Sequence, residues 1–292
     1  MNKPIISIGM PVYNGEKYIE EALESLLSQT FSNFELIISD NNSTDQTNKI
    51  CEYYAKKDKR IRYLRQTNNL GAIANFQFVL NQSVGRYFMW AAYDDKWSLN
   101  WLESLYKEME LKNVNMVFGQ VVHIDEQSKL MKHPANNAVF EFVGHYLSKR
   151  CKFFLANEAL GKANTIYSLY RAEMIPILNA ILSDFVKGNY IYDHAMVFSC
   201  LKYTDLIQVN DTFLYKRVHF SSEGFILKNK LGFLNKIRFF MYPMLPNLLS
   251  DYLHHALFFE KIIILFLLPI KLIAHDCFII LNKFISNKYD NS

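Results

Sequence analysis

The sequence predicts an α/β fold, in which a parallel sheet is covered by helices on both faces. Residues 5–10, 34–40 and 87–91 are short apolar runs, and each run stops at polar groups. A segment with helical spacing, residues 16–29, lies between the first two runs, and similar segments follow the later ones. Strands that alternate with helices are typical of a parallel sheet with crossover connections. At 292 residues, the chain forms one large domain or one domain with an appendage.

The first part of the chain has the most regular pattern. Its predicted strands cover residues 5–10, 34–39, 61–64 and 87–91, and its predicted helices cover 16–29, 43–57, 71–81 and 99–111. Asn14 is expected to cap the first helix, and Ser43 with Gln46 has the spacing of a capping box for the second. We expect Asp45 to act at a helix start rather than to bind a ligand.

The second part is less regular. Its predicted strands cover residues 115–122, 166–170, 206–209 and 213–216, and its predicted helices cover 141–156, 172–182 and 192–201. The polar segment 127–137, which contains Pro134, is predicted to be a loop.

Composition indicates a folded protein from a reducing compartment. Half of the residues are hydrophobic and 21% are charged, which excludes a disordered chain. The cysteines lie far apart and form no metal-type pair, so buried thiols are expected at Cys51, Cys151, Cys200 and Cys277. Only about six apolar residues follow Lys3, too few for a signal peptide. These features predict a protein of cytosolic origin.

The net charge of +4 is concentrated at the end of the chain. From Gly224 onward, eight Lys or Arg stand against four Asp or Glu, so this tail holds the whole excess. A basic excess in an apolar segment favours an anionic membrane surface over nucleic acid as partner. Charged residues and Pro269 interrupt the apolar run, which disfavours a spanning helix of roughly 20 residues. We expect a helical tail that contacts the membrane through residues 225–286; packing on the protein's own body or on a dimer partner is the alternative.

Polar groups follow three of the predicted strands. They include Tyr13 after the first strand, Asp40 after the second, and Asp94 with Asp95 after the fourth. In a parallel sheet these groups gather at one edge, where open α/β sheets bind their ligands. Carboxylates and an aromatic ring at such an edge suit a nucleotide diphosphate held through a divalent metal.

Five segments in this order resemble the family 2 glycosyltransferases with the GT-A fold. They are residues 10–16 (Met-Pro-Val-Tyr-Asn-Gly-Glu), 40–45 (Asp-Asn-Asn-Ser-Thr-Asp), 69–71 (Asn-Leu-Gly), 85–90 (Gly-Arg-Tyr-Phe-Met-Trp) and 94–97 (Asp-Asp-Lys-Trp). The likeness covers residues 5–110 well and continues loosely to about residue 222. It implies a Rossmann-like mixed sheet flanked by helices, within a GT-A domain over 1–223. Residues 1–110 would be its nucleotide-sugar-binding half and 111–223 its acceptor half, with a helical apolar tail over 224–292.

The resemblance also implies an activity. Such enzymes move a sugar from a nucleotide-sugar donor, here expected to be a UDP-sugar, to an acceptor hydroxyl, usually with inversion at the anomeric carbon. The expected acceptor is a glycan or a lipid-linked precursor of lipopolysaccharide, capsule or another bacterial surface polysaccharide. The expected place is the inner face of the cytoplasmic membrane, and a homo-oligomer is a further arrangement that the sequence allows.

The nucleotide pocket follows from the same resemblance. A base needs a flat apolar partner, which the Tyr13 ring offers, and a polar edge contact, which Asp40 offers. Ordinary packing is the alternative for Tyr13. The full set of expected nucleotide-binding residues is Pro11, Tyr13, Asn14, Glu16, Asp40, Asn69, Gly71, Asn75 and Asp94.

A departing nucleoside diphosphate needs its charge neutralised, and Mg²⁺ or Mn²⁺ is the expected cofactor. In the family an Asp-x-Asp motif serves this metal. Here Ala92 stands in the first position and Asp94 in the last, and Asp95 follows directly. The candidate metal ligands are Asp94, Asp95 and His219. Capping of the next segment is the alternative for the two aspartates.

The acceptor hydroxyl must lose a proton as it attacks. Family members carry a Glu-Asp pair at a helix start for this purpose, and here the pair is Tyr192-Asp193. Asp193 is therefore the predicted catalytic base, with a simple helix-start carboxylate as the alternative. Residues 215–222 resemble the family's late donor loop, in which Arg217 and His219 are expected to contact the diphosphate. A basic loop at the protein surface is the alternative for both residues.

The same residues bear on three other functions. Ala92 and Tyr192 replace acidic residues, which keeps open a catalytically silent nucleotide-binding or scaffold protein. A nucleotidyltransferase would carry a Gly-rich phosphate loop after the first strand, and residues 11–14 are of another kind. A processive polymer synthase would show several spanning segments and a Gln-x-x-Arg-Trp motif, and the sequence shows neither.

Overall fold

The computed structural model describes residues 3–188, 193–219, 252–254 and 256–271. Strands and helices alternate through its first part. In chain order these are β1 (Ile6–Val12), α1 (Ile19–Leu27), β2 (Phe34–Asp40), α2 (Thr47–Lys57), β3 (Ile61–Arg65), α3 (Ala72–Asn81), β4 (Tyr87–Trp90), β5 (Lys96–Trp97) and α4 (Trp101–Lys112). All but the short β5 were predicted.

The second part is more irregular. Its strands and α-helices are β6 (Met116–Ile124), α5 (Tyr146–Leu155), β7 (Leu169–Arg171), α6 (Ile175–Gly188), α7 (Asp193–Cys200) and β8 (Ile207–Arg217). Short 3-10 helices cover Glu158–Leu160, Lys162–Tyr167 and Ala172–Met174. The predicted loop over 127–137 is confirmed, apart from a single bridge between Ile124 and Leu130.

The eight strands form one mixed sheet in the order β3-β2-β1-β4-β7-β6-β8-β5. Strands β3, β2, β1 and β4 run parallel, whereas β7 is antiparallel to both β4 and β6, and β5 is antiparallel to β8. The chain leaves β1 toward β2 and β3 and returns to β4 on the other side of β1. The carboxyl ends of β1 and β4 therefore flank a topological switch point, where a ligand crevice is expected.

The central strands β1, β2 and β4 are buried on both faces of the sheet. Every residue of β1, β2 and β4 is buried. Successive side chains of a strand point to opposite faces of the sheet, so both faces must be covered. Helix α1 supplies its predicted stripe of Ile19, Ala22, Leu23 and Leu26 to this core. The predicted α/β layering is confirmed.

Several predicted element bounds in the first part are wrong, because the residues there form other hydrogen bonds. Helix α1 begins at Ile19, since residues 16–18 form a turn in which the Gly15 carbonyl accepts the N–H of Tyr18 and of Ile19. Asn14 does not cap this helix. The capping box of Ser43 and Gln46 is also absent, because α2 starts at Thr47 and has no side-chain cap at Gln46.

Other differences lie in the second part. Helix α5 begins at Tyr146 rather than residue 141, because Phe142 pairs with Leu206 in a bridge. The predicted strand over 166–170 begins only at Leu169, after a 3-10 helix. The two short strands predicted over 206–209 and 213–216 are one strand, β8. Asp211 within it has a φ of 62°, and the register with β6 shifts nearby.

The tail predicted over 224–292 is described only at residues 252–254 and 256–271, where 252–254 and 258–271 are helical. The boundary between residues 223 and 224, and Tyr192, lie outside the described residues. Tyr252 is fully buried, with its ring 5.0 Å from Phe154 and 4.8 Å from Phe198. The described tail therefore packs on the protein's own body. Among the described helices we find none with the length and apolar character that crossing a membrane requires.

Candidate active site

The carboxyl end of β1 leads into a tight turn that presents Tyr13. Asn14 adopts a φ of 50°, its N–H donates to Ser43 Oγ at 2.9 Å, and its Oδ1 accepts the N–H of Thr44 at 2.8 Å. A Cβ on Gly15 would lie 2.7 Å from the Tyr93 ring, so only glycine fits there. The turn is thus fixed from both sides, and the Tyr13 side chain is 42% exposed. An exposed ring at this edge meets the geometric requirement for stacking on a base.

Asp40 is fully buried at the carboxyl end of β2. Its carboxylate accepts the N–H of Ser43 at 2.8 Å and the hydroxyl of Tyr63 at 2.7 Å, and Arg65 Nε lies 3.7 Å away. Burial and the hydrogen bond to Asp40 raise the pKa of Tyr63. In this arrangement Asp40 shapes the loop that follows β2, and the contact with a base stays a prediction.

Pro11 and Glu16 flank the same turn. Pro11 is buried in β1, opposite Ser39 of β2. Glu16 is exposed, and its carboxylate accepts the N–H of Gln46 at 2.8 Å, so it serves the start of α2 rather than of α1. Asp45 accepts the N–H of Thr47 at 3.0 Å, which confirms its predicted place at a helix start.

Asn69, Gly71 and Asn75 do not share one environment. Asn41 Nδ2 donates to Asn69 Oδ1 at 2.9 Å, and the same oxygen accepts the N–H of Gly71, which places an exposed loop beside the end of β2. Asn75 is only 2% exposed and binds Ser39, donating from Nδ2 to its carbonyl at 2.9 Å. Asn75 therefore ties α3 to β2 and is not presented to a ligand.

The end of β4 meets the end of β8 through Asp94 and His219. His219 Nε2 lies 2.9 Å from the Asp94 carboxylate, and the His219 ring packs 5.0 Å from the Tyr18 ring. Burial opposes ionisation of Asp94, but the charge of Lys216 and the contact with His219 hold its pKa below the usual value. Asp94 is therefore an ionised carboxylate beside an imidazole, and its contact with a metal or diphosphate stays a prediction.

Asp95 points elsewhere. It is fully buried, its Oδ2 lies 3.0 Å from Lys216 Nζ, and its Oδ1 accepts the N–H of Arg217 at 3.0 Å. Burial, with the charge of Asp94, raises its pKa to about 6 against the opposing effect of Lys216. Both of its oxygens are thus used to join the β4 end to β8. Asp95 is not placed with Asp94 as a second metal ligand.

Arg217 is likewise turned into the protein rather than toward a phosphate. Its Nε donates to the Asp94 carbonyl at 2.9 Å, and its Nη1 donates to the carbonyls of Asp125 and Glu126 at 3.1 and 3.2 Å. Its Nη2 lies 3.1 Å from the Glu21 carboxylate, and the guanidinium has no exposed surface. The predicted diphosphate contact does not fit this arrangement. Arg217 instead fixes the backbone of Asp94 and is a positioning residue.

The residues present fit a divalent metal with two protein ligands, not three. Among residues 3–188, 193–219, 252–254 and 256–271, no cluster of three or more His, Cys, Asp or Glu is placed to bind a metal. Asp94 and His219 offer one carboxylate oxygen and one imidazole nitrogen at a single point. That is enough for an ion that takes its other ligands from diphosphate oxygens and water.

Asp193 is the first residue of α7, in the second part of the chain. Burial raises the pKa of Tyr167, and the charges of Asp193, Asp95 and Asp94 act in the same direction against Lys216. One phenol therefore lies within electrostatic range of both the predicted base and the predicted metal site. No sequence pattern identifies Tyr167, because it lies in a 3-10 helix where a strand was predicted.

Lys216 is another residue that sequence reasoning missed. Its ammonium lies 5.4 Å from the centre of the Tyr167 ring and 3.0 Å from Asp95. Burial alone would lower its pKa, but the charges of Asp95 and Tyr167 raise it well above the usual value. Two adjacent aspartates and a basic residue in the predicted donor loop could have indicated this ion pair. Buried carboxylates need a cation.

The sequence is similar to those of known glycosyltransferases. The chain matches the family described as Glycosyl transferase family 2 over residues 7–174, more than half of its length. It is 34% identical over 122 residues to glycosyltransferase GlyG of Streptococcus pneumoniae serotype 4, a match covering 42% of this chain and 40% of GlyG. It is 39% identical over 101 residues to the putative teichuronic acid biosynthesis glycosyltransferase TuaG of Bacillus subtilis, covering 35% of this chain and 40% of TuaG. The matches thus span less than half the length of either relative.

Solved structures of TarS from S. aureus have a similar fold. TarS 1–349 in complex with UDP-GlcNAc gives a TM-score of 0.54 at 19% identity, covering 74% of this chain and 59% of that one. TarS 1–349 in complex with UDP gives 0.56 at 17% identity, covering 92% and 88%. At such identity the likeness concerns the fold alone, which is GT-A. Because the family match covers more than half of the chain and includes the ends of β1, β2 and β4, the chain belongs to glycosyl transferase family 2.

Proposed function

We propose that this enzyme transfers a sugar from a nucleotide diphosphate sugar, with UDP as the nucleotide, to an acceptor hydroxyl with inversion at the anomeric carbon. The observation that carries the proposal is the Asp94–His219 pair at the β4 end, 2.9 Å apart and beside the topological switch point. The UDP-GlcNAc in a TarS structure supports this donor class for the fold.

The donor would bind to the half formed by residues 1–110. Tyr13 has the exposed ring to stack on the base, and the exposed loop at Asn69 and Gly71 lies beside the end of β2. Asn14 and Asp40 act by holding the two turns in place, through Ser43 and Thr44. Residues 111–223 would form the acceptor half.

Asp94 and His219 would hold Mg²⁺ or Mn²⁺ at the diphosphate. When bound, such an ion neutralises the charge that develops on the leaving group. Arg217 keeps the Asp94 backbone in place, and Asp95 with Lys216 joins β4 to β8 beneath it. The chain thus positions one ionised carboxylate and one imidazole without a second metal-binding aspartate.

Asp193 would accept the proton of the attacking hydroxyl. Asp193 is the first residue of α7, and the family's acidic pair at a helix start supports this role. A carboxylate is a group that can act as a general base. Inversion follows from direct attack on the face opposite the departing diphosphate, with a single carboxylate taking the proton.

The proposed product class is a bacterial surface polysaccharide, made by a protein peripheral to the inner face of the cytoplasmic membrane. The name of TuaG, which concerns teichuronic acid, supports this class of product. The second candidate is a catalytically silent nucleotide-binding scaffold. Ala92 and Tyr192, which replace acidic residues, are what favour it.

A donor panel with two variants separates these candidates. Purified protein is incubated with UDP-, GDP- and dTDP-sugars, with Mn²⁺ or with EDTA, and nucleotide release is measured. We expect release from a UDP-sugar that EDTA abolishes, and a fall of at least about 100-fold in Asp193→Asn with an acceptor present. The matched control is Asp184→Asn, an acidic residue of the neighbouring helix α6. Nucleotide binding without turnover for every donor would favour the scaffold instead.

A further inference from the structure

The described part of the tail is a helix with two faces of opposite character. On the inner face, Glu260 forms a buried ion pair with Arg150, and Lys271 lies 2.7 Å from Glu158. Ile264 is 2% exposed between them. Positions 260, 264 and 271 recur at helical spacing, so one stripe of the helix is held to the body by ion pairs and an apolar contact.

The outer face is apolar and open. Phe259 is 76% exposed and Phe266 is 78% exposed, among the highest values for large hydrophobic side chains in the described residues. The other large apolar side chains exposed on this segment are Leu257, Phe258, Ile262, Leu265 and Ile270. Among its exposed described positions only Lys261 is charged. A contiguous apolar surface of this kind marks an interaction site rather than scattered exposure.

We propose that this outer face, residues 257–270, lies in the interface of an anionic lipid bilayer. The charge of the tail selects lipid over other occupants. Glu260 and Lys271 are paired inward, one acidic and one basic, so the excess of four basic residues from Gly224 onward is unchanged by them. An apolar face flanked by basic residues is what binds anionic lipid surfaces.

The geometry sets the mode of binding. Over the described residues 258–271 the helix has one stripe against the body and one stripe that is open. Its inner stripe is fixed to the protein by Arg150 and Glu158, so the body covers that side. The helix therefore lies along the membrane plane, with the Phe side chains directed into the lipid.

This placement also bears on the acceptor, and that consequence rests on the proposed function. Arg150, which pairs with Glu260, donates from Nε to the carbonyl of Phe198 in α7 at 3.1 Å. Tyr252 packs on the Phe198 ring. The membrane-facing helix is thus joined to the helix that begins with Asp193, which suits an acceptor sugar carried on a lipid.

Vesicle flotation of the full chain tests the proposal. We compare phosphatidylcholine vesicles with vesicles that also contain phosphatidylglycerol, using the wild type and the double variant Phe259→Gln, Phe266→Gln. Wild type should float with the anionic vesicles, and the double variant should lose at least about tenfold in partitioning. The control Leu111→Gln, Leu130→Gln removes side chains 76% and 71% exposed on the body, and should float like wild type.

Other outcomes overturn the proposal. Equal flotation of both double variants would show that the outer face is not the lipid contact. If wild type does not float but forms a dimer, and the Phe259, Phe266 double variant is a monomer, the outer face binds a second copy of the chain. If wild type neither floats nor forms a dimer, the proposal is overturned as well. Thermal unfolding checks that each variant is folded. Because flotation needs no donor, it stays informative even where the donor panel fails.

Discussion

Two carboxylate sites lie at the carboxyl ends of parallel strands in this sheet, and they are held in different ways. Asp40, the last residue of β2, accepts from the N–H of Ser43 three residues later and from the hydroxyl of Tyr63 on the neighbouring strand β3. Its nearest cation, Arg65 Nε, is 3.7 Å away on a side chain that is 41% exposed. The Asp40 site is therefore local in sequence and rests mainly on neutral donors.

The Asp94–Asp95 site is ionic and long-range. His219, Lys216 and Arg217, all at or beyond the end of β8, reach it across 121–125 residues of chain. Two adjacent buried carboxylates repel each other, so they need cations that the local sequence does not provide. The first site therefore shapes a loop, whereas the second makes the predicted metal site depend on the register of β8.

The largest expected effect is at Asp94 itself. Asp94→Asn should lower turnover at least about 100-fold, because it removes the one carboxylate presented with His219 to a metal-held diphosphate. Calorimetry of UDP binding with and without Mn²⁺ should show that the metal no longer tightens binding. The control is Asp45→Asn, whose carboxylate accepts backbone N–H groups at a helix start. Unchanged Mn²⁺ dependence in the Asp94 variant would contradict the assignment.

Arginines near the two sites should differ in their contribution to stability. Arg217→Gln leaves the carbonyls of Asp94, Asp125 and Glu126 without their buried donor, and we expect a loss of about 3–5 kcal/mol in the free energy of unfolding. Arg65→Gln, at a half-exposed side chain, should cost no more than about 1 kcal/mol. Urea unfolding of both variants measures the comparison. Equal losses would mean that the Asp94–Asp95 site is not the more tightly built of the two.

Sequence patterns predicted the local site better than the long-range one. Short-range hydrophobicity predicts strands that end near residues 10, 40 and 91, within two residues of the observed ends of β1, β2 and β4. The choice between Asp94 and Asp95 does not follow from such a pattern, because it depends on which carboxylate faces Lys216 across the β5–β8 pairing. Asp94 lies in a turn and Asp95 directly precedes β5, so the directions of the two carboxylates depend on how that turn packs against β8.

The same reason explains the error at Arg217. Its partners are the carbonyls of a loop at Asp125 and Glu126 and the Glu21 carboxylate on α1, which no local pattern connects to residue 217. Asp193 and Tyr167 show a related limit. The resemblance identified Asp193 as a candidate, but the 3-10 helix that brings Tyr167 into electrostatic range of it has no clear sequence period.

A pH series should detect Asp95 as a buried, ionic member of its site. Its pKa is raised to about 6 in the folded protein, above the ordinary value near 3.8, so the folded state holds this proton more tightly than the unfolded state. The resulting contribution to stability is present at low pH and is lost as pH rises from about 4 to about 6, up to about 3 kcal/mol. Thermal unfolding of wild type and Asp95→Asn across this range measures it. In Asp95→Asn, stability should no longer fall as pH rises through this range. The same fall in both proteins would contradict the raised pKa of Asp95.

The smallest effect is expected at the neutral donors of Asp40. Tyr63→Phe removes one hydroxyl donor and leaves Asp40 with the N–H of Ser43 and the nearby Arg65, so the cost should be about 1 kcal/mol. Lys216→Met removes the cation of fully buried Asp95 and should cost several times more, about 3–5 kcal/mol. Urea unfolding at one pH compares the pair directly. A Tyr63 loss as large as the Lys216 loss would mean that both carboxylates depend on their partners equally, and the distinction between a neutral and an ionic site would fail.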